Sequence, residues 1–478
     1  MFGFIMKLPT RWQGYLGAAI VTWMALTVPS AHAQPTAPPK ATTAAPVAPP
    51  PKGPPNGGAL LLDRIVRPVQ VENPAERTRM EAHLKSRYDK SDVKHDFKLP
   101  SGDDVDCVDI AKQPGMRRVE MVGRKVETPP TRSPRPPLGA AGQDTPLAGN
   151  QDGFLTGGKD DAGHDRRCPA ATVPIRRVTI EEVSAFKNLK EFERKRPSHL
   201  GRQSPLSSSP DVAPTIYGPN DSHQYAHAYR NVTNYGSHAA LNIWNPKVMA
   251  GIWEFSLSQL WIARGTGSGL ETLEVGVQVM PLKYGNSNAR LFIYSTSDGY
   301  ASNSYNSGCY NLDCGRFIQT SGGFVIGAPF ANYSTTGGTQ REVQVSFQHF
   351  PSGWWLAIND QWIGYYPLNL FDAAGVKNYA SNIDFGGEII DDRTQHSYHT
   401  STDMGSSTGA YPAAGYRAAA YQRQLWYFDA DGTAKHATGL TTQRNSAYCY
   451  DISAVTSSSN DWGTYFYFGG PGYNMNCR

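Results

Sequence analysis

The sequence lacks the commonest short signature of a zinc hydrolase. It has no H-E-x-x-H pair to hold a catalytic metal. Cysteine is scarce: there are 6 in 478 residues, with no C-x-x-C pair and no Cys/His cluster at ligand spacing. Neither a metal site nor another cofactor is therefore expected. An excess of one charge is also missing. The formal net charge is only +4, from 45 Lys and Arg against 41 Asp and Glu, which gives no footprint for nucleic acid. The one long apolar run, Gly14 to Val28, is too short to span a bilayer.

That run has the layout of a secretory signal. Lys7 and Arg11 precede it, and Ala31-His-Ala33 supplies a small-x-small cleavage site. Residues 1–33 are expected to be removed near Ala33, sending an unanchored protein to the extracellular or periplasmic side. Asn231 and Asn332 head sequons there. Six cysteines in an exported chain are consistent with three disulfides, although fifteen connectivities are possible. Proximity favours Cys309–Cys314 and Cys449–Cys477, which leaves Cys107 with Cys168 and no free thiol nucleophile.

Composition then divides the chain. Residues 34–60 are a Pro/Ala-rich linker. A leader over 61–200 mixes a charged helix at 73–92, a second helix at about 179–194, and a Pro/Gly/Asp-rich stretch at 128–166 that reads as a disordered loop. Residues 201–214 form an exposed linker. From 215 to 478 short alternating runs rich in Trp, Tyr, Phe, Thr and Gly predict an all-β domain, an antiparallel sandwich resembling a jelly roll. This domain carries 14 Lys and Arg against 18 Asp and Glu, which leaves 31 against 23 ahead of it. A basic leader can dock electrostatically on an acidic domain.

Two segments of the β-domain carry the chemistry. Leu273-Glu-Val-Gly-Val-Gln-Val-Met-Pro281 and Phe385-Gly-Gly-Glu-Ile-Ile390 each set one glutamate among apolar and glycine residues. A carboxylate on such a strand is paired, protonated or functional, because a lone buried charge is costly. Glu274 and Glu388 thus read as a dyad assembled by folding.

In the same order along the chain stand Phe255-Ser-Leu-Ser-Gln-Leu-Trp-Ile262, Leu291-Phe-Ile-Tyr-Ser-Thr-Ser-Asp-Gly-Tyr300, Gly308-Cys-Tyr-Asn-Leu-Asp-Cys314, Gly353-Trp-Trp-Leu356 and Gly364-Tyr-Tyr-Pro367. In the leader, Val105-Asp-Cys-Val-Asp-Ile-Ala-Lys-Gln-Pro114 and Cys168-Pro-Ala-Ala-Thr-Val-Pro-Ile-Arg-Arg177 complete the series. This ordered set resembles the neprosin family, secreted glutamic peptidases made with an activation propeptide. The resemblance implies that 61–200 is that propeptide, that Glu274 and Glu388 are the catalytic pair, and that Cys309/Cys314 and Cys449/Cys477 are the catalytic-domain disulfides. It also implies cleavage after proline. Val277 stands where plant members tend to have tryptophan, a change expected to alter a substrate subsite, and Asn286 replaces a common aspartate.

Peptide hydrolysis by two carboxylates requires one to be ionised and one protonated. The first takes a proton from water, and the second polarises the carbonyl and donates to the leaving amine. Gln278, an even four residues from Glu274, shares its sheet face and is a candidate for oxyanion or substrate binding. His223, His227, His238, His396 and His399 are read as loop histidines rather than metal ligands. Trp253, Trp261, Trp354, Trp355 and Trp362 are read mostly as core, with one or two lining a cleft. The expected partners are a proline-containing peptide or protein and the chain's own propeptide. Pro205, Pro210 and Pro214 are candidate maturation sites in the exposed linker. The alternative reading is a carbohydrate-binding or glycoside-hydrolysing jelly roll using the same glutamates.

Overall fold

The computed structural model describes residues 67–135, 157–195, 223–301, 307–392, 398–406 and 411–477. The signal segment, the 34–60 linker, His396 and the linker prolines Pro205, Pro210 and Pro214 lie outside them. No described helix is long and apolar enough to cross a membrane.

The leader begins with α1 (Pro74–Ser86), capped by the Asn73 side chain, which accepts from the Glu76 amide at 2.9 Å. It ends at Ser86, short of the predicted boundary. A three-stranded antiparallel sheet follows, made of β1 (Val93–Lys98), β2 (Asp104–Asp109) and β3 (Thr172–Arg176), and Cys107–Cys168 ties it together. The single helix expected over 179–194 is two short ones, α2 (Ile180–Ser184) and α3 (Leu189–Glu193). Asn188 breaks the run by acting as a new N-cap for Glu191. Residues 128–135 are not a disordered loop either. They lie along the β-domain, held by contacts to aromatic side chains described below.

The β-domain is two antiparallel sheets face to face. The front sheet contains β4 (His223–Asn234), β6 (Ser256–Arg264), β7 (Glu271–Val279), β8 (Arg290–Thr296), β9 (Gly308–Tyr310), β14 (Ala380–Ile390) and β17 (Thr441–Arg444). Their order is β17-β4-β14-β6-β7-β8-β9. The back sheet contains β5 (Gly236–Asn242), β10 (Ile318–Gln319), β11 (Glu342–Phe350), β12 (Gly353–Ile358), β13 (Gln361–Tyr366), β15 (Ala420–Phe428), β18 (Asp451–Ile452) and β20 (Thr464–Gly469). Its order is β10-β13-β12-β11-β5-β15-β20-β18, with β16 (Ala434–His436) on β15 and β19 (Thr456–Ser457) on β20. Between β7 and β8 lies α4 (Pro281–Tyr284). The result is an all-β antiparallel sandwich preceded by a mixed leader.

Period-2 alternation builds the core. On β7, Leu273, Val275, Val277 and Val279 join Leu260, Ile262, Val345, Phe347 and Leu356 between the sheets. The outer face of the front sheet is covered by the leader, where Phe186, Leu189 and Phe192 pack with Phe255, Leu257, Phe292 and Tyr294. Each such side chain stabilises docking by roughly 1.5–3 kcal/mol. Val277 therefore cannot alter a subsite as expected, because it points into the core, opposite to Glu274. Cys309–Cys314 and Cys449–Cys477 are both bonded, and no described cysteine is free.

Candidate active site

Register aligns the outer face in rows. Asp384, Trp261, Glu274 and Tyr294 are neighbours across β14, β6, β7 and β8. Gly386, Gln259, Gly276 and Phe292 form the next row, and Glu388, Leu257 and Gln278 belong to the third. The middle row requires its glycines. A Cβ on Gly276 would lie 2.1 Å from the Ser258 carbonyl oxygen, and one on Gly386 would lie 2.5 Å from that of Ala226. With both its neighbours bare, Gln259 projects between the rows that carry Glu274 and Glu388, with His227 and Phe292 beyond the glycines on either side.

Both glutamates are fully buried, and one cation joins them. Lys195 Nζ donates to Glu274 Oε2 at 2.8 Å and to Glu388 Oε2 at 2.6 Å. Lys195 immediately follows the Arg194 cap of α3, and its backbone N–H donates to the Tyr294 hydroxyl at 3.1 Å. Burial disfavours the ammonium charge, but Glu274 and Glu388 outweigh it and raise the Lys195 pKa.

Each carboxylate has a second set of partners. Glu388 Oε1 lies 2.5 Å from His223 Nδ1 and accepts from the Tyr225 hydroxyl at 3.2 Å, while its Oε2 accepts from Gln259 Nε2 at 3.1 Å. Burial alone would raise its pKa, but Lys195 and His223 hold it down to about 2. Glu274 Oε1 accepts from the Tyr300 hydroxyl at 2.6 Å and from Thr272 Oγ1 at 2.9 Å. Burial and the neighbouring Glu274 push the Tyr300 phenol well above its usual range. Tyr300 has φ +63°, a sparsely populated conformation for a bulky residue. It follows Gly299, where a Cβ would lie 1.9 Å from the Gly267 carbonyl oxygen. This tight turn aims the phenol back at Glu274.

The histidine reading is corrected. His223 and His227 are buried strand residues, and His227 Nδ1 lies 2.7 Å from Asp384 and its ring stacks on Trp261. Burial raises the Asp384 carboxyl to about 6, against the pull of His227. His238 is likewise buried, its Nδ1 3.0 Å from the Gln424 carbonyl. His399 groups with Cys449 and Cys477, but their sulfurs are committed to a disulfide, and a metal does not fit.

Gln278 lies on the expected face, yet its amide donates to Tyr310 at 3.3 Å rather than toward the carboxylates. Gln259 is the amide in contact with Glu388. Sequence reasoning missed it although Phe255 to Ile262 alternates visibly, and it also missed Lys195, His223, Tyr225, Thr272 and Tyr300. Of the tryptophans, Trp354 and Trp355 are buried, Trp261 flanks Glu274, and Trp253 packs edge-on to Phe186 of the leader. Asn286 accepts from Arg290 at 3.2 Å.

Residues 253–471 match the neprosin domain and residues 96–229 match the neprosin activation peptide. Similar solved structures include a scytalido-glutamic peptidase with a peptide-based transition-state analogue (9% identity, TM-score 0.27, covering 52% of this chain and 96% of that one). Another is SCP-B, a member of the eqolisin family of peptidases in a complex with the tripeptide Ala-Ile-His (10%, 0.25, 52% and 96%). A third is CG-16, a homodimeric agglutinin from chicken liver (9%, 0.19, 34% and 93%). The paired domain matches place the chain in the neprosin family, as a peptidase zymogen that carries its own activation peptide.

Proposed function

We propose that the mature domain is a glutamic endopeptidase cutting after proline, and that Lys195 holds the precursor latent. One observation carries this reading: two buried glutamates from separate strands converge on a single point within hydrogen-bond reach of both. In the precursor the Lys195 ammonium fills that point, and in the mature enzyme a water takes it. Without Lys195, Glu388 keeps His223, Tyr225 and Gln259 as partners, a set that favours its ionised form. Glu274 keeps two hydroxyls, which accept as well as donate, so it is the one to carry a proton.

Glu388 then removes a proton from the water as its oxygen attacks the scissile carbonyl carbon. Glu274 gives its proton to the carbonyl oxygen, and the Gln259 amide is placed to donate to that oxygen as well. Collapse returns the diol proton to Glu274, the proton on Glu388 passes to the departing nitrogen, and the C–N bond breaks. The His227–Trp261 stack, His227 one row and Trp261 two rows from Glu388, offers a flat wall suited to a proline ring. The domain boundaries at 61–200 and 215–478, and export after removal of residues 1–33, belong to the same proposal.

The test is hydrolysis by the leader-free enzyme at acid pH of a proline-containing peptide beside a panel of glycans. Peptide cleavage after proline supports the reading. Glycan cleavage with intact peptide would replace it with the glycoside alternative.

A further inference from the structure

The leader makes a second contact, on the opposite side of the sandwich from Lys195. Residues 114–135 cross the outer face of the back sheet, where Met121 is buried with Ile318, Trp355 and Tyr365, and Met116, Val126, Phe350 and Trp362 pack around them. From Arg124 to Pro130 the chain belongs to no helix or strand. The stretch Thr128-Pro-Pro-Thr-Arg-Ser-Pro134 contains three prolines, which have no N–H to offer. Two side chains of residues 128–135 are held, Arg132 over the Phe350 ring and on the Asp431 carbonyl and Arg135 on Asp360, and the remaining polar contacts are to the backbone. Trp362 Nε1 donates to the Arg132 carbonyl at 3.0 Å, Gln348 Nε2 donates to the Pro134 carbonyl at 3.0 Å, and the Tyr365 hydroxyl accepts from the Glu127 amide at 3.1 Å. The rings form an angular surface: Trp355–Tyr365 centroids are 4.8 Å apart, and Phe350–Trp362 are 5.6 Å apart at 90°. Gln348 is 2% exposed, and its Oε1 has no hydrogen-bond partner among the described residues.

Indole and amide donors to carbonyls, over an aromatic surface, are the chemistry that recognises extended proline-rich chains. The contacts to backbone carbonyls do not depend on the leader's own side chains. The strap lies between Cys107 and Cys168 and upstream of the 201–214 linker, so cleavage in that linker separates it from the β-domain. We propose that this face of the released enzyme, built on Gln348, Phe350, Trp355, Trp362 and Tyr365, is an exosite for an extended proline-rich stretch of the polypeptide substrate. The proposal rests on the peptidase-zymogen reading for its occupant. It adds a binding site remote from the two glutamates, which would hold a long substrate while the front groove cuts it.

The experiment uses precursor cut in the 201–214 linker by an added protease and freed of its leader, in the Glu274→Gln form so that the probe stays intact. The probe is a fluorescent peptide of residues 124–135. Saturable binding to the cut protein is expected, with none to the uncut precursor, whose own strap holds the face. Trp362→Phe keeps a ring but loses the indole N–H, and should weaken binding about fivefold. A probe with alanine at its three proline positions should also bind less well. In otherwise wild-type enzyme, Trp362→Phe should raise KM for a long proline-rich chain and leave a short peptide's kcat/KM unchanged. Equal binding by cut and uncut protein, indifference to Trp362→Phe, or self-association of the cut protein through this face would overturn the exosite. Probe binding without hydrolysis of any peptide by the wild-type enzyme would instead overturn the peptidase reading alone.

Discussion

The two outer faces of the sandwich are both covered by the leader, but by different chemistry. On the front, Lys195 places a charge between Glu274 and Glu388, and the surroundings are hydroxyls, an amide and histidine. On the back, the strap offers carbonyls and proline rings to Trp362, Gln348 and Tyr365. Front docking centres on a buried charge and is sensitive to protonation, whereas back docking is largely apolar, with hydrogen bonds between neutral groups and one partly exposed ion pair, Arg135 with Asp360. Acid weakens the first more than the second, so release should begin at the front.

Five substitutions test that contrast. The largest effect is expected from Glu388→Gln or Glu274→Gln in the leader-free enzyme. Each replacement is nearly isosteric but cannot exchange the proton, and turnover should fall at least about 100-fold with folding unchanged. Steady-state rates together with circular dichroism check this, and a folded variant with near-wild-type turnover would remove that residue from the mechanism.

Next is Lys195→Met, which leaves two buried carboxylates without their cation. Breaking a buried pair in this way costs about 3–5 kcal/mol. In precursor cut at the linker, the affinity of the leader for the β-domain should fall accordingly, as measured by the rate at which labelled leader dissociates. Tyr300→Phe removes a donor to Glu274, and donors to charged groups contribute about 1.5–3 kcal/mol. It should lower kcat about tenfold. Steady-state rates beside the circular dichroism of the folded variant check this.

The smallest effect concerns His83 on α1. Burial, helped by Arg87, lowers its pKa to about 4, and it lies 3.8 Å from Glu193 and close to Asp313. Its pKa is depressed when docked, so docking is favoured while His83 is neutral. That contribution is lost as pH falls from the ordinary 6.5 through about 4. For Glu388, the part of the depression that Lys195 supplies favours docking and is lost as pH falls toward about 2. Leader release should therefore set in below about pH 6.5 and steepen as Glu388 takes up its proton. His83→Gln should move its midpoint to lower pH, and an unchanged midpoint would take His83 out of the release step.

The sandwich was legible because Val275, Val277 and Val279 alternate with Glu274, Gly276 and Gln278, a pattern that survives in sequence whatever packs above it. The two glutamates were legible for the same reason, as charges on otherwise apolar strands. Lys195 was not, because it lies in a basic run at the end of a helix, and its meaning depends on partners 79 and 193 residues away. Gln259 was hidden among ordinary polar strand positions until its neighbours proved to be glycines. The strap failed differently. A proline-rich segment has no period, so docked and free forms of Thr128–Arg135 look alike in sequence, and only the aromatic surface beneath it separates them.

On the proposed mechanism, one lysine of the leader seals a two-glutamate peptidase. The most direct test of this claim is the maturation time course of purified precursor at stepped pH, read by N-terminal sequencing, for wild type, Lys195→Met, Glu274→Gln and the double variant. Wild type is expected to mature at about pH 3–5, near the ordinary carboxylate range. Its new N-terminus should be Leu206, Asp211 or Thr215, after Pro205, Pro210 or Pro214. Lys195→Met should do so at higher pH, and both precursors carrying Glu274→Gln should stay intact. Maturation of Glu274→Gln at the wild-type rate with no other protease present, or an unchanged maturation pH in Lys195→Met, would contradict the claim.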